Sequence, residues 1–428
     1  MDSADFFNTM LRDRAEGRIK GIYSVCSANP FVLRAAMEQS AEDGMPVLIE
    51  ATANQVNQFG GYTGMKPDDF SRFVYDIAAD CGFPAENIIL GGDHLGPFVW
   101  KDKDEAEAMA LAGELVAAYA RAGFSKIHID TSMKLASDSA DAPLSNETIA
   151  RRGAVLCAAA EAACGLRPPI YVIGSEVPTP GGPQDETEVV VPTTPDDFVA
   201  SYQAFKDAFV DAGLDDAFSR VVAFVVQPGV EFTDSEVFEY DRDAAAQLCA
   251  ALHSMSGSLV FEGHSTDYQT PASMRKLVED GVAILKVGPA LTFALRQGFM
   301  ALESIERELV GGAGLEPSRF TETLEAAMLR DDSNWKNHYS GDAQSLRIQL
   351  RYSFFDRARY YLPEPDVNAA VERLIDNLDK TGIPITMLSQ YLPQSFERVR
   401  AGLLSLAPRD VLIDCVKHYL RDYSAAVR

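Results

Sequence analysis

The chain has 428 residues and a formal net charge of −25 from 38 basic and 63 acidic side chains, and 47% of its residues are hydrophobic. This composition excludes a disordered chain, and the acidity argues against nucleic acids and anionic membrane surfaces as partners. The acidic first residues lack the apolar core of a secretory signal, and the six cysteines form no CxxC pair, so the expected location is the cytoplasm.

Short, nearly continuous apolar runs recur through the first two thirds of the chain, and each is followed by turn residues and a segment with helical spacing. Continuous apolar runs are typical of parallel strands covered on both faces. Eight such units within about 270 residues favour a (β/α)8 barrel over a doubly wound open sheet. The runs are residues 21–28, 46–52, 87–94, 126–132, 170–176, 221–228, 259–265 and 283–289.

The pattern changes after residue 290, where the apolar spacing becomes helical throughout. The candidate helices are residues 296–309, 316–329, 367–380 and 408–423. An aromatic and basic run at 351–361 is unusual in so acidic a chain, and it fits either a packed helix face or a surface directed at a site or interface. We therefore predict an α/β protein with a (β/α)8 TIM barrel at 1–295 and a helical C-terminal extension at 296–428.

Polar or ionisable residues stand at the carboxyl ends of seven of the eight predicted strands. In a barrel these ends meet at one mouth, where active sites form. Polar residues at seven strand ends are more than helix and turn capping requires, and they therefore predict a functional site. The residues are Glu50, Asn54, Asp93, His94, Asp130, Glu176, Gln227, Glu262, His264, Ser265, Thr266, Asp267, Lys286 and Gly288.

A divalent metal is the first hypothesis for this mouth, because histidine and carboxylate ligands suit zinc. The predicted ligands are His94, Gln227, Glu262 and His264, and the predicted proton-transfer groups are Asp93, Asp267 and Glu176. Asp93 and His94 are neighbours, so they point to opposite sides of a strand unless the chain bends there. His128, inside the fourth run, is interpreted as a core histidine.

Anion recognition is the second hypothesis, since barrels often hold a phosphate at the ends of strands seven and eight. Ser265, Thr266 and Gly288 stand there. Lys286, two residues before the last strand ends, is either paired with an acid such as Glu262 or a reactive amine. Asn54, Asp130, Lys286 and Arg357 complete the predicted substrate contacts, and the sequence contains no GxxxxGK[ST] phosphate loop.

These strand ends resemble those of class II, zinc-dependent ketose-bisphosphate aldolases, and the fuller strings resemble the GatZ/KbaZ family, the accessory subunits of tagatose-1,6-bisphosphate aldolase. The resemblance covers nearly the whole chain, the helical extension included. It rests on NIILGGDHLG at 87–96, GSEVPTPGG at 174–182, VVQPGVEF at 225–232, FEGHSTDYQT at 261–270 and the run at 352–361.

The resemblance implies a proton-transfer role for Asp93 and zinc binding by His94. Gln227 and Glu262 stand where class II aldolases have histidine ligands, which implies weakened or altered metal binding. The implied function is an accessory subunit in galactitol or N-acetylgalactosamine catabolism, in an oligomer with a ketose phosphate ligand and a class II aldolase chain as partners. Two alternatives are a metal-dependent ketose 4-epimerase that works by retro-aldol chemistry and, ranked lower, a tagatose-6-phosphate kinase.

Overall fold

A closed barrel of parallel strands forms the centre of the protein, and the computed structural model describes residues 3–174, 190–255 and 259–428. The strand order around the barrel is β1-β10-β9-β6-β5-β4-β3-β2. Each predicted apolar run overlaps one of these strands, with β3 ending and β10 beginning one residue outside the predicted bounds, so the predicted (β/α)8 fold is confirmed. The barrel strands are β1 Ile22–Cys26, β2 Val47–Thr52, β3 Ile88–Leu95, β4 Lys126–Ile129, β5 Ile170–Gly174, β6 Val221–Val226, β9 Val260–Gly263 and β10 Val282–Val287. A small hairpin, β7 Glu231–Phe232 with β8 Val237–Phe238, follows β6.

Helices follow the strands and cover the outside of the barrel. Several begin at a side-chain cap: Thr194, for example, accepts a hydrogen bond from the backbone N–H of Asp197, and a proline follows it at the first helical position. The helices up to β10 are α1 Ser3–Ala15, α2 Pro30–Asp43, α3 Pro67–Cys81, α4 Glu105–Arg121, α5 Asn146–Ala163, α6 Pro195–Asp211, α7 Asp215–Ser219, α8 Arg242–Ser254 and α9 Pro271–Glu279.

The C-terminal part is helical, as predicted. Its helix α16 packs on α2, α9 and α10, which fastens the extension to the side of the barrel. The predicted boundary at residue 295 falls inside α10, and the division into two domains stays a prediction. The helices are α10 Pro289–Ala313, α11 Phe320–Arg330, α12 Ala343–Tyr352, α13 Pro365–Thr381, α14 Ile385–Tyr391, α15 Pro393–Arg400 and α16 Pro408–Val427. No described helix combines the length and apolar composition that a membrane span requires.

Side chains inside the barrel change from apolar to charged along the strands. Near the amino ends, Ile22, Leu48 and Ile89 form an apolar cluster with Phe7 of α1. Two residues further along β2, the inward position is Glu50, which is fully buried. Because every second residue of a strand points inward, the polar positions stack as a layer above the apolar plug. The polar layer therefore lies at the predicted mouth.

Gly96 is a tight contact where β3 meets β4, and replacing it by alanine tests this packing. A Cβ at this position would lie 1.7 Å from the backbone oxygen of Asp130, which cannot rotate away. We expect Gly96→Ala to lower the free energy of unfolding by about 3 kcal/mol or more, the upper end for overpacking, measured by urea titration. Gly311→Ala is the matched control because its Cβ would meet open space within α10. An equal response of both variants would contradict this account.

Candidate metal centre

Three imidazoles and one carboxylate meet inside the barrel near its mouth. His94, His128, His264 and Asp93 each place one potential ligand atom so that all four atoms lie within 4.8 Å of one another. We call these four residues the histidine cluster. His94 Nε2 lies 3.0 Å from His264 Nδ1, and all four side chains are buried. Three imidazoles with a carboxylate form a ligand set that suits zinc.

A carboxylate contacts the opposite nitrogen of each imidazole. His94 Nδ1 lies 2.8 Å from Asp130 Oδ2, and His264 Nε2 lies 3.1 Å from Glu262 Oε1. His128 Nδ1 lies 3.0 Å from Asp93 Oδ1, while its Nε2 is buried without a hydrogen-bond partner among the described residues. Metal-binding histidines typically have such a carboxylate partner, which fixes the ring and its tautomer. The arrangement leaves one nitrogen of each ring for a metal ion.

A bend at the end of β3 brings both Asp93 and His94 into this cluster. His94 adopts a left-handed conformation with φ of 48°, and the pairing of β3 with β4 shifts register between Gly92 and Leu95. Such an irregularity turns a side chain that would otherwise face outward. Left-handed backbone is strained for a residue with a side chain and is found most often at functional sites.

Two buried lysines lie beneath the histidine cluster. Lys126 Nζ lies 2.5 Å from Glu50 Oε1 and 2.7 Å from Glu262 Oε2. Lys286 pairs with Glu50 and lies 2.9 Å from Asp93 Oδ1. Lys286 is therefore paired with acids, and its distance to Glu262 is longer, at 3.9 Å. Burial lowers the pKa of Lys286 to about 8.

The charges of this buried group do not balance. Apart from the three imidazoles, the group of four carboxylates, Glu50, Asp93, Asp130 and Glu262, is paired among the described residues only with the two ammonium groups of Lys126 and Lys286. With the three imidazoles neutral, as metal ligands are, the deficit is two positive charges, which is the charge of one divalent cation. Buried charges are costly unless they are compensated. The residues present therefore fit a divalent metal.

The pKa values reflect the same excess of negative charge. Burial alone would lower the pKa of His94, but the charge of Asp93 and the hydrogen bond with Asp130 raise it to about 9. Burial also opposes ionisation of Glu262, yet Lys126 and His264 lower its pKa to about 2. Burial lowers the pKa of the His264 imidazole. The neighbouring imidazoles overcome burial and hold the pKa of Asp93 well below its usual range.

A cavity of about 120 Å³ opens onto the histidine cluster from the mouth. Asp267 lies in its wall, where its Oδ1 accepts hydrogen bonds from the backbone N–H groups of Gly288 and Ala290, and burial raises its pKa to about 6. Of the predicted site residues, those that line the cavity are Asn54, Asp93, His94, His264, Ser265, Asp267, Lys286 and Gly288.

Several predicted residues lie elsewhere. Gln227 does not reach the cluster, because its side-chain oxygen accepts the backbone N–H groups of Gly229 and Val230 in a turn. Thr266 is turned away and donates to the backbone oxygen of Lys286. The predicted ligand Glu262 and the predicted substrate contact Asp130 stand behind histidines, which they orient. Arg357 is buried beside Tyr360 and outside the cavity wall, and Glu176 lies outside the described residues.

The structure also adds residues that the sequence analysis missed. His128 was interpreted as a core histidine, yet it belongs to the histidine cluster. The sequence contained a signal for this: Lys126 and His128 alternate along β4, and Asp130 continues the alternation just after the strand ends, so all three face the inside of the barrel. Arg359, Tyr360, Tyr62 and Cys26 also line the cavity, and their sequence positions gave no such signal beyond the excess of arginine at 351–361.

Comparisons with known proteins agree with this architecture. The model of a family described as "D-tagatose-1,6-bisphosphate aldolase subunit GatZ/KbaZ-like" matches residues 7–428. A crystal structure described as a probable tagatose 6 phosphate kinase from Sinorhizobium meliloti 1021 is 47% identical, with a TM-score of 0.87, and the match covers 95% of this chain and 100% of that one.

Two aldolase structures are more distant. The YdjI aldolase from Escherichia coli K12 is 12% identical over 89% of this chain and 97% of its own, with a TM-score of 0.40. The fructose-bisphosphate aldolase from Campylobacter jejuni is 14% identical over 89% of this chain and 93% of its own, with a TM-score of 0.46.

Proposed function

Because the chain belongs to the GatZ/KbaZ-like family of D-tagatose-1,6-bisphosphate aldolase subunits, we propose that it supports turnover of ketose phosphates with a zinc ion in its histidine cluster. The partner would be a separate class II aldolase chain, in an oligomer in the cytoplasm. The observation that carries the proposal is the buried charge deficit beside three imidazoles, which one divalent ion would neutralise. A scaffold without a site has no need for such a costly group.

His94, His128 and His264 would hold the ion, with Asp93 beside it. Zinc supplies Lewis-acid polarisation of an oxygen next to the carbon–carbon bond that forms or breaks in aldol chemistry. Asp93 is held ionised by its imidazole and lysine neighbours and is thus suited to accept a proton. Asp267 lines the same cavity, and because burial raises its pKa to about 6 it is suited to exchange a proton near neutral pH. Asn54 and Ser265 are placed to orient sugar hydroxyls.

Two other activities make different demands on the chain. A kinase, the activity named for the Sinorhizobium meliloti relative, needs a nucleotide site, and the sequence has no GxxxxGK[ST] loop. A 4-epimerase would use the same metal site for cleavage and re-addition at one carbon, without a partner chain. The experiment below therefore also assays the kinase and the 4-epimerase activities.

The test measures metal content and turnover with the purified full-length chain. We expect about one zinc per chain, and we expect the chain to raise the turnover of tagatose 1,6-bisphosphate by a class II aldolase chain. The His94→Ala/His264→Ala variant should lose both properties, because it removes two of three imidazoles. The exposed His253→Ala on α8 is the matched control.

Four results would contradict the proposal. Absence of metal from the wild type would refute the zinc site, and full stimulation by the double variant would leave a metal-independent scaffold. Interconversion of tagatose 6-phosphate and fructose 6-phosphate by the chain alone would assign the 4-epimerase, whereas ADP formation from ATP would assign the kinase.

A further inference from the structure

The helical extension contributes part of the cavity wall. A short 3-10 helix, Arg357–Tyr360, lies at the mouth of the barrel, and Arg359 and Tyr360 line the cavity beside Asp267 and Gly288. These two residues are more than sixty positions beyond the last barrel strand. The cavity is therefore closed on one side by chain outside the (β/α)8 unit.

Asp356 anchors this segment to the barrel. Its buried carboxylate accepts a hydrogen bond of 2.6 Å from Thr292 Oγ1 and one of 2.7 Å from Arg296 Nε, both on α10, the helix that follows β10. Asp356 has a left-handed backbone with φ of 44°, which costs an aspartate about 1 kcal/mol or more and persists only where contacts enforce it. The segment therefore has a fixed position over the mouth.

Neutral groups orient the Arg359 guanidinium. Its Nη1 donates to the backbone oxygen of Phe355 and, at 3.0 Å, to that of Asp356, and its Nη2 donates to the Tyr360 hydroxyl at 3.0 Å. The guanidinium lies 4.5 Å from the centre of the Tyr360 ring, which Tyr62 contacts edge-on from the loop after β2. The side chain is thus pre-organised, with its remaining donors free of carboxylate.

Two arginines near Arg359 have a carboxylate partner that Arg359 lacks. Arg296 is paired with Asp356, and Arg351 is paired with Glu325. Within the described ranges no carboxylate oxygen lies within 4.0 Å of the Arg359 guanidinium, in a chain with 63 acids. A guanidinium with no carboxylate in direct contact keeps donors available, and an arriving anion can form charge-assisted hydrogen bonds with them.

We propose that Arg359 is the receptor for the phosphate monoester of the sugar, in the cavity whose wall also contains His94 and His264. This inference deepens the proposed function and rests on it for the identity of the ligand. The planar guanidinium matches phosphate with two parallel hydrogen bonds. The C-terminal extension would thus select phosphorylated over neutral ketoses, while the barrel supplies the reacting groups.

The test separates anion recognition from metal chemistry. In metal-free protein, inorganic phosphate titrated by 31P NMR should bind the wild type and lose about 10- to 100-fold in affinity with Arg359→Gln, the range for charge-assisted bonds. In zinc-loaded protein, calorimetry should show the same loss for tagatose 6-phosphate but not for tagatose. Arg359→Lys should recover part of the affinity, because it keeps the charge without the fork.

Arg357→Gln is the structural comparison. Arg357 contacts the same Tyr360 ring at 4.8 Å but lies outside the cavity wall, so its loss should affect tagatose 6-phosphate and tagatose alike. Unchanged phosphate affinity in Arg359→Gln, or an equal loss for both sugars, would overturn the proposal. Phosphate binding that needs Arg359, in a wild-type chain that takes up no zinc when zinc is supplied, would support the anion subsite and refute the proposed function.

Discussion

His128→Ala is expected to weaken zinc binding by more than about 100-fold. Loss of a group that only supports a metal ligand costs about 10- to 100-fold, and loss of one of three imidazoles removes a ligand itself. His128 Nε2 is buried and has no hydrogen-bond partner among the described residues, so no neighbouring described group is in contact with this nitrogen to take its place as a ligand. Competition with a chelator of known affinity, followed by mass spectrometry of the retained metal, measures the change.

The variant must be shown to fold for this loss to be meaningful. Zinc binding stabilises the native state by mass action, so zinc should raise the melting temperature of the wild type but not of His128→Ala. In excess chelator the two proteins should unfold cooperatively at similar temperatures. His253→Ala, an exposed histidine on α8, should keep wild-type affinity. Retention of tight zinc by His128→Ala would exclude His128 as a ligand.

Lys126→Met is expected to lower the free energy of unfolding by about 3–5 kcal/mol, the cost of leaving buried charges without their partner. The Lys126 side chain is fully buried and is the common partner of Glu50 and Glu262. Its removal leaves both carboxylates in the barrel interior and enlarges the charge deficit. Urea unfolding of metal-free protein measures the effect without the contribution of zinc.

A second change identifies charge as the cause. The Lys126→Met/Glu50→Gln variant restores the original charge difference and should recover a substantial part of the lost stability. Lys103→Met removes a partly exposed lysine that pairs with Glu107 on α4, and no measurable change in the free energy of unfolding is expected. If the double variant is no more stable than Lys126→Met, lost packing rather than lost charge explains the effect.

The sequence was sufficient for the architecture because strands and helices leave local patterns. A continuous apolar run such as 221–228 predicts a covered strand wherever it occurs, and its neighbours need not be known. The same local reasoning placed Asp93, His94 and His264 at strand ends, and the cavity wall contains all three. These predictions required only that the barrel close with its carboxyl ends at one mouth.

Local reasoning was insufficient for Gln227 and His128. Both positions are compatible with a ligand or a structural role, and the surroundings decide between them. A turn at residues 227–230 occupies the Gln227 oxygen, while alternation along β4 and the bend at His94 bring His128 into the cluster. No pattern within a few residues specifies which hydrogen-bond partners a side chain meets across the barrel.

By itself the sequence determined the (β/α)8 barrel, the helical extension and the end of the barrel at which a site would form, because periodicity and strand order depend on neighbouring residues. Only the tertiary structure decided which groups share that site. Barrel closure brings β3, β4 and β9 around one point, so carboxylates and lysines distant in sequence form one buried charge system. The packing of the extension on α10 places Arg359 in the cavity wall. This placement depends on hydrogen bonds from Thr292 and Arg296 to Asp356, which lies some sixty residues further along the chain, and no local pattern specifies such contacts.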